Sequence, residues 1–274
     1  MKTLVIVSAN ATDFGFLPQE WPVRQESDRS ASVDLESVDW AHLTPMLDAH
    51  QCDAALFDTR PRLSDFKLVA MDMDATTIRN ETLDEMAEMA GVGPKVKAIT
   101  DQAMRGEIDY ETSLRARVAT MKGFPATLYD EVIEKRLQVQ SHIDAWLRAL
   151  DTHGIERLLI SGGFQPVVDH FVEKLGFNAG FANRMTIADG RFTGELEGEL
   201  VDSHYKARRL KTRAKELGID LSQTIAIGDG ANDIPMLTAA GLGVGYHPKP
   251  AVVDHARIVL RHTGYETLSL FFKP

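Results

Sequence analysis

The sequence has little cysteine, few aromatic residues and no excess of positive charge. Only one of its 274 residues, Cys52, is a cysteine, so no intrachain disulfide can form and we expect a reducing, cytoplasmic location. The net charge of -10 argues against nucleic acid or an anionic membrane as a partner, because both bind basic surfaces. The apolar run at the amino terminus is too short for a signal peptide, and no other run reaches membrane-spanning length.

A hydrophobic content of 44% over this length is enough for a large core and for more than one folding unit. Residues 1–64 read as a small α+β segment, followed by a catalytic core over residues 65–274. The segment has no acid pair or glycine-rich loop, so we expect an interaction or homodimerisation role for it. Residues 58–62 indicate a linker between the two parts.

The most informative stretch begins at Lys67 and has an apolar run, residues 68–71, that is followed by Asp72 and Asp74. It predicts a buried strand that delivers two carboxylates at its carboxyl end. Open α/β sheets keep their sites at such ends, and two carboxylates this close need a cation between them. The pair alone would also fit an ordinary solvated loop.

Two later strands end in a similar way. One, at residues 157–160, leads into the turn Ser161-Gly162-Gly163, whose N–H groups could bind an anion. The other, at residues 224–227, leads into a glycine-rich loop with Asp229 and Asp233, and Lys206 opens the helix before it. The alternation of strands and helices predicts a doubly wound parallel sheet.

The stretch between the first two of these strands is helical and far longer than a crossover requires. We therefore expect a helical cap inserted at about residues 83–145, acting as a lid over the strand ends.

Parallel strands bring their carboxyl ends to one edge, which gathers four acids with Ser161 and Lys206. The acids are Asp72, Asp74, Asp229 and Asp233. Carboxylate oxygens without histidine or cysteine favour Mg²⁺ over zinc.

In order and spacing, these motifs resemble those of the haloacid dehalogenase-like phosphatases, with their Rossmann-type core. They are Asp72-Met73-Asp74-Ala75-Thr76, Ser161-Gly162-Gly163, Lys206 and the loop from Gly228 to Asp233. Residues 67–260 further resemble the phosphoserine phosphatases. This resemblance implies Mg²⁺-dependent hydrolysis of O-phospho-L-serine to L-serine and phosphate, in serine biosynthesis, through an aspartyl-phosphate.

The resemblance also implies roles for individual residues. Asp72 would be the nucleophile, Asp74 the general acid and base, and Lys206 a catalytic cation. The metal would be held by Asp72, the backbone carbonyl of Asp74, Asp229 and Asp233. The substrate would contact Glu81 through its ammonium, Arg117 through its carboxylate, Met104 and Tyr110 along an apolar wall, and Ser161, Gly162, Asn232 and Thr76 around the phosphate.

Three departures from the family pattern stand out. Ala75 replaces the usual hydroxyl residue, Tyr110 replaces phenylalanine, and residues 137–143 lack the Pro-Gly turn at the end of the lid. Two other functions stay open: a phosphatase or phosphotransferase of the same superfamily that acts on another small metabolite, and a regulatory binding protein with slow turnover.

Overall fold

The computed structural model describes residues 1–273. Its strands are β1 (Lys2–Ser8), β2 (Arg24–Gln25), β3 (Ser30–Leu35), β4 (Cys52–Phe57), β5 (Leu68–Met71), β6 (Glu156–Phe164), β7 (Ala179–Ala188), β8 (Arg191–Glu197), β9 (Thr224–Gly228), β10 (Leu242–Tyr246) and β11 (Ile258–Leu260). Its helices are α1 (Trp40–Ala49), α2 (Thr82–Met89), α3 (Gly93–Met104), α4 (Tyr110–Ala119), α5 (Leu128–Lys135), α6 (Ile143–Thr152), α7 (Gln165–Leu175), α8 (Ser203–Glu216), α9 (Ile234–Ala239) and α10 (Tyr265–Leu268). Among these described residues, no helix is long and apolar enough to cross a membrane.

The larger of the two sheets has seven strands in the order β11-β10-β9-β5-β6-β7-β8. Strand β10 pairs in parallel with β9 and β11, and β6 pairs in parallel with β7. The β7–β8 pair is antiparallel, and its turn at Asp189 and Gly190 has positive φ angles of 51° and 71°, as a tight hairpin requires. The predicted α/β class is confirmed.

The backbone divides into two compact units. The first unit contains Met1–Val69, Ser141–Glu156 and Leu210–Pro274, and the second contains Ala70–Gln140 and Arg157–Arg209.

In the first unit, residues 1–57 build a four-stranded antiparallel sheet in the order β2-β3-β1-β4. Leu4 and Ile6 of β1 pack in one cluster with Leu43 and Leu47 of α1, which buries the apolar face of the sheet. Asp39 begins α1, because its carboxylate accepts hydrogen bonds from the N–H groups of Ala41 and His42.

In the second unit, helices α2 to α5 lie between β5 and β6 in the sequence. The chain leaves and re-enters this insertion through two paired segments: the Arg79 N–H donates to the Gln138 carbonyl at 2.8 Å, and the Gln140 N–H donates to the Thr77 carbonyl at 3.0 Å. The return segment therefore has a backbone ladder although it lacks the expected Pro-Gly turn. His142 follows with φ 57°, the left-handed conformation that glycine usually supplies.

Two expectations about local structure were wrong. Ser161-Gly162-Gly163 is part of β6, which continues to Phe164, because a register shift rather than a turn accommodates the glycines. Helix α8 begins at Ser203, three residues before Lys206, since Asp202 accepts from the Tyr205 N–H at 2.7 Å. The stretch expected to be a linker, residues 58–62, contains Arg60, which is buried and donates to the Leu270 carbonyl.

Candidate active site

Asp72 follows β5, whose four residues are all buried, and its carboxylate is buried as well. The Met73 N–H donates to one carboxylate oxygen at 2.6 Å. The Nζ atom of Lys206, itself fully buried, lies 2.7 Å from the other oxygen. A charge-assisted bond of this kind favours the ionised carboxylate, which is the form that can act as a nucleophile.

Asp74 lies in the turn after Asp72 and is half-buried. Its carboxylate accepts a hydrogen bond from the Thr82 hydroxyl at 2.5 Å. Burial, followed by the charge of Glu81, raises the pKa of Asp74 to about 7. The two acids of the motif thus have different environments, and Asp74 is the one that can carry a proton near neutral pH.

The turn that separates these two acids is fixed by the backbone. Ala75 has φ 53°, and the N–H groups of Thr76, Thr77 and Ile78 all donate to the Met73 carbonyl. The Thr77 hydroxyl also donates to the Asp72 carbonyl at 2.6 Å. Since a non-glycine residue at positive φ is strained, these bonds explain how Ala75 keeps the turn closed.

Ser161 and Asp74 converge on Gly163. The Gly163 N–H donates to the Ser161 hydroxyl at 2.8 Å. A Cβ atom added to Gly163 would lie 3.0 Å from that hydroxyl oxygen and 3.2 Å from Oδ2 of Asp74. A side chain at this position would therefore crowd the space beside both groups.

In the first unit, Asp229 and Asp233 follow β9 and are buried. The Gly230 N–H donates to Oδ2 of Asp233 at 3.1 Å, and a Cβ on Gly228 would lie only 2.4 Å from the Asp233 carboxyl carbon. The glycines of this loop thus let the Asp233 carboxylate fold back onto the backbone. Nζ of Lys249 lies 3.1 Å from Oδ2 of Asp229.

Asp229 and Asp233 of the first unit each offer a carboxylate oxygen, and these two oxygens lie within 4.8 Å of each other. Two buried carboxylates at such a distance repel each other unless a cation lies near them. Their oxygen-only donor set suits a small, hard divalent ion. These two residues therefore fit the metal ligands expected from the sequence.

The proposed substrate residues differ in where the structure places them. Tyr110 lies close to Gly162, which is predicted to contact the phosphate. Its hydroxyl donates to the Val201 carbonyl at 3.2 Å and would contact a Cβ atom added to Gly162. Arg117 is half-buried, and its buried Nε has no hydrogen-bond partner among residues 1–273. Glu81 is exposed but acts on Asp74 through its charge.

The remaining residues predicted to contact the substrate are Thr76, Asn232 and Met104, and they differ in burial. Thr76 is buried, and Asn232 is half-buried, with its Oδ1 atom 2.4 Å from where a Cβ of Gly230 would lie. Met104 is 81% exposed at the end of α3, so the structure does not bring it to an apolar wall.

Comparison with known proteins matches residues 69–238 to the model of the haloacid dehalogenase-like hydrolase family. The chain belongs to this family. A phosphoserine phosphatase of Haemophilus influenzae is 44% identical over 210 residues, which cover 77% of this chain and 67% of the relative. The predicted family membership and catalytic class are thereby confirmed.

Solved structures of this hydrolase family extend the similarity. A haloacid dehalogenase family hydrolase from Salmonella enterica serovar Typhi matches 100% of this chain and 99% of its own, at 25% identity and a TM-score of 0.86. A structure described as a phospho-aspartyl intermediate analogue of phosphoserine phosphatase matches 76% of this chain and 99% of its own, at 38% identity and a TM-score of 0.71.

Three further residues contact the predicted site residues, and the sequence did not single them out. Thr82 contacts the Asp74 carboxylate, Thr77 supports Asp72, and Lys249 pairs with Asp229. Thr77 follows directly on the acid motif, so the sequence offered some indication of it. Lys249 lies in a loop without a recognisable motif, and only the fold identifies it.

Proposed function

We propose that this hydrolase releases phosphate from O-phospho-L-serine with Mg²⁺ as cofactor. The observation that carries the proposal is the buried Asp72–Lys206 pair next to Asp74, whose pKa is raised, within a chain 44% identical to a phosphoserine phosphatase. One carboxylate is held ionised while its neighbour can hold a proton, which is the division of roles that phosphoryl transfer through an aspartate needs.

In the first step, an ionised oxygen of Asp72 attacks phosphorus, and the bond between phosphorus and the serine oxygen breaks. Asp74 gives its proton to that departing oxygen. In the second step, Asp74 takes a proton from a water molecule that attacks the same phosphorus, which releases phosphate and restores the Asp72 carboxylate. The electron pair of each broken P–O bond stays with the leaving oxygen.

Asp72, Asp229, Asp233 and the backbone carbonyl of Asp74 would hold the Mg²⁺. When bound, the ion offsets the repulsion between the anionic nucleophile and the anionic phosphate. Lys206 adds a fixed positive charge at Asp72, while Ser161, Gly162, Asn232 and Thr76 would contact the phosphoryl oxygens, where charge spreads in the transition state.

The serine part of the substrate carries an ammonium and a carboxylate. Arg117 supports recognition of the carboxylate, because its buried Nε donor is unpartnered. Glu81 would bind the ammonium group, and a cation there would also reduce the charge that Glu81 exerts on Asp74. Tyr110 would limit the pocket beside Gly162, while a contact from Met104 would require α3 to bring its exposed end inward.

We further propose that residues 1–64 form an interaction segment, with homodimerisation as its role, next to a core over residues 65–274 that carries the cap at 83–145. The segment has its own four-stranded sheet and contributes none of the residues proposed for catalysis. Its buried thiol, Cys52, has a pKa raised by burial, which makes it a poor nucleophile, and the reducing cytoplasm is the proposed location.

Phosphate release from O-phospho-L-serine, with and without EDTA, tests the proposal. We expect activity that EDTA abolishes, that added Mg²⁺ restores and that Asp72→Asn lacks. If the protein is inactive toward O-phospho-L-serine but hydrolyses another phosphomonoester, it is a phosphatase of the same superfamily that acts on a different small metabolite. Normal turnover by Asp72→Asn would refute the covalent mechanism.

A further inference from the structure

Asn183 is a buried polar residue of β7 that the proposed mechanism does not use. Its Nδ2 atom donates to the Gly162 carbonyl at 2.8 Å, and its Oδ1 atom accepts from the Val201 N–H at 2.9 Å. A carbonyl can only accept and an N–H can only donate, so these two partners fix the orientation of the side-chain amide.

The first of these bonds repairs an irregularity in the sheet. Ile160 of β6 pairs with Phe181 of β7, but the next pair joins Phe164 to Asn183, so β6 has two more residues than β7 over this interval. The extra residues of such a bulge are left without ladder partners. The side chain of Asn183 supplies a donor to Gly162, which lies within the bulge.

The second bond reaches toward the helix that carries Lys206. Val201 is buried two residues before α8, where the Asp202 side chain and carbonyl accept from the N–H groups of Tyr205 and Lys206. The carbonyl of Val201 accepts from the Tyr110 hydroxyl at 3.2 Å. Both backbone groups of Val201 are thus hydrogen-bonded: its N–H to Asn183 of β7 and its carbonyl to Tyr110 of α4.

We propose that Asn183 is a positioning residue that fixes the Gly162 backbone and the start of α8 in one common geometry. Through this residue, the Ser161–Gly163 backbone at the phosphate and the Lys206 ammonium at Asp72 keep a fixed relative position. The proposal rests on the proposed function, since that function assigns Gly162 to the phosphate and Lys206 to the nucleophile. Asn183 itself touches neither the phosphate nor the reacting atoms.

Asn183→Ala is the principal variant, because it removes both bonds. We expect kcat to fall about 100-fold, the size of effect that misplacement by about 1 Å can produce. The inhibition constant for inorganic phosphate should rise about tenfold, as for one lost hydrogen bond, while that for L-serine stays unchanged. This split between two product inhibitors distinguishes positioning at the phosphate from a general loss of structure.

Asn178→Ala is a matched control. Asn178 precedes the same strand, and its Oδ1 atom accepts from the Arg157 N–H of β6 at 2.8 Å, near the opposite end of the β6–β7 pair. It should lose stability without a change in kcat or in phosphate inhibition. Asn183→Asp is a second variant, for use if Asn183→Ala does not fold. Its carboxylate can still accept from the Val201 N–H but cannot donate to the Gly162 carbonyl, so it should show the same phosphate defect.

Folding is followed by circular dichroism, and phosphate binding in the presence of Mg²⁺ is also measured by calorimetry, which requires no turnover. Weaker phosphate binding by a folded Asn183 variant, with Asn178→Ala like the wild type, supports the proposal. If folded Asn183 variants match Asn178→Ala both in phosphate inhibition and in calorimetric phosphate binding, the proposal is overturned. A wild-type protein inactive toward O-phospho-L-serine refutes the proposed function instead, and calorimetry then still decides the role of Asn183.

Discussion

Replacing Arg60 by methionine should destabilise the first unit strongly. The guanidinium is 5% exposed and donates to the carbonyls of Leu270, Phe271 and Phe272, as well as to both carboxylate oxygens of Glu26, at 2.7–3.1 Å. Methionine fills a similar volume but leaves these acceptors without their donor. Removing one partner of a buried pair costs roughly 3–5 kcal/mol. Because Glu26 is 27% exposed, we expect the low end, about 3 kcal/mol.

For a chain of this size, that loss corresponds to a fall in Tm of about 5 °C. Urea unfolding followed by circular dichroism measures the free energy directly. Arg62→Met is the matched control, since Arg62 lies two residues further on with an exposed side chain, and it should change stability by less than about 0.5 kcal/mol. Equal effects of the two substitutions would refute the assignment of Arg60 as the anchor of the carboxyl-terminal backbone.

The same pair predicts a dependence on pH. Burial opposes ionisation of Glu26, but hydrogen bonds from Arg60 and Ser32 outweigh it and hold the pKa of Glu26 below its ordinary value of 4.5. Its contribution to stability is therefore complete above about pH 4.5 and is lost as the pH falls through the lower, folded-state value. The difference in stability between the wild type and Arg60→Met should be constant from pH 7 to 5 and shrink below that range.

The other predictions concern catalysis and the attachment of the amino-terminal sheet. Lys206→Met should lower kcat in the phosphate-release assay about 100-fold or more, because it removes the cation 2.7 Å from Asp72. The control Lys211→Met, on the exposed side of the same helix, should leave kcat unchanged. Glu81→Gln should raise KM about tenfold with a smaller change in kcat, with Asp84→Asn as control; a change confined to kcat would contradict a role in substrate binding. Asp53→Ala should lower the free energy of unfolding in urea by about 3 kcal/mol, since this buried carboxylate accepts from the N–H groups of residues 261–263 and from the Thr263 hydroxyl. A loss below about 0.5 kcal/mol would contradict the role of Asp53 in attaching the amino-terminal sheet.

The residues that the sequence predicted best lie at the ends of buried strands. The apolar run before Asp72 has the length and continuity of a strand with both faces covered, so the position of the acids follows from local pattern. The same holds for the loop with Asp229 and Asp233. Parallel pairing is expected to bring strand ends to one edge, which is why carboxylates 157 and 161 residues beyond Asp72 were predicted to join it in one metal site.

The residues that the sequence could not predict are single polar side chains with distant partners. Arg60 bonds to carbonyls 210 to 212 residues away, and Asn183 joins backbone groups on two segments, 21 and 18 residues away. Neither belongs to a periodic pattern, and a charged residue between a strand and an apolar run is ordinarily solvated. Only the packed structure shows that both are buried, because burial of such a group depends on partners that local sequence does not specify.

The departures from the family pattern are compensated locally rather than left as defects. Without glycine after the cap, His142 adopts the left-handed conformation, and Gln140 donates through its side chain to the carbonyls of Ala75 and Ile78 at 3.3 and 3.4 Å. Ala75 is also at positive φ, so the return segment of the cap supports the strained turn that follows Asp74. Because the cap connection and the catalytic turn share these bonds, a change in one should alter the other. The cap connection that lacks the Pro-Gly turn is therefore tied to the geometry of the turn after Asp74, the proposed general acid.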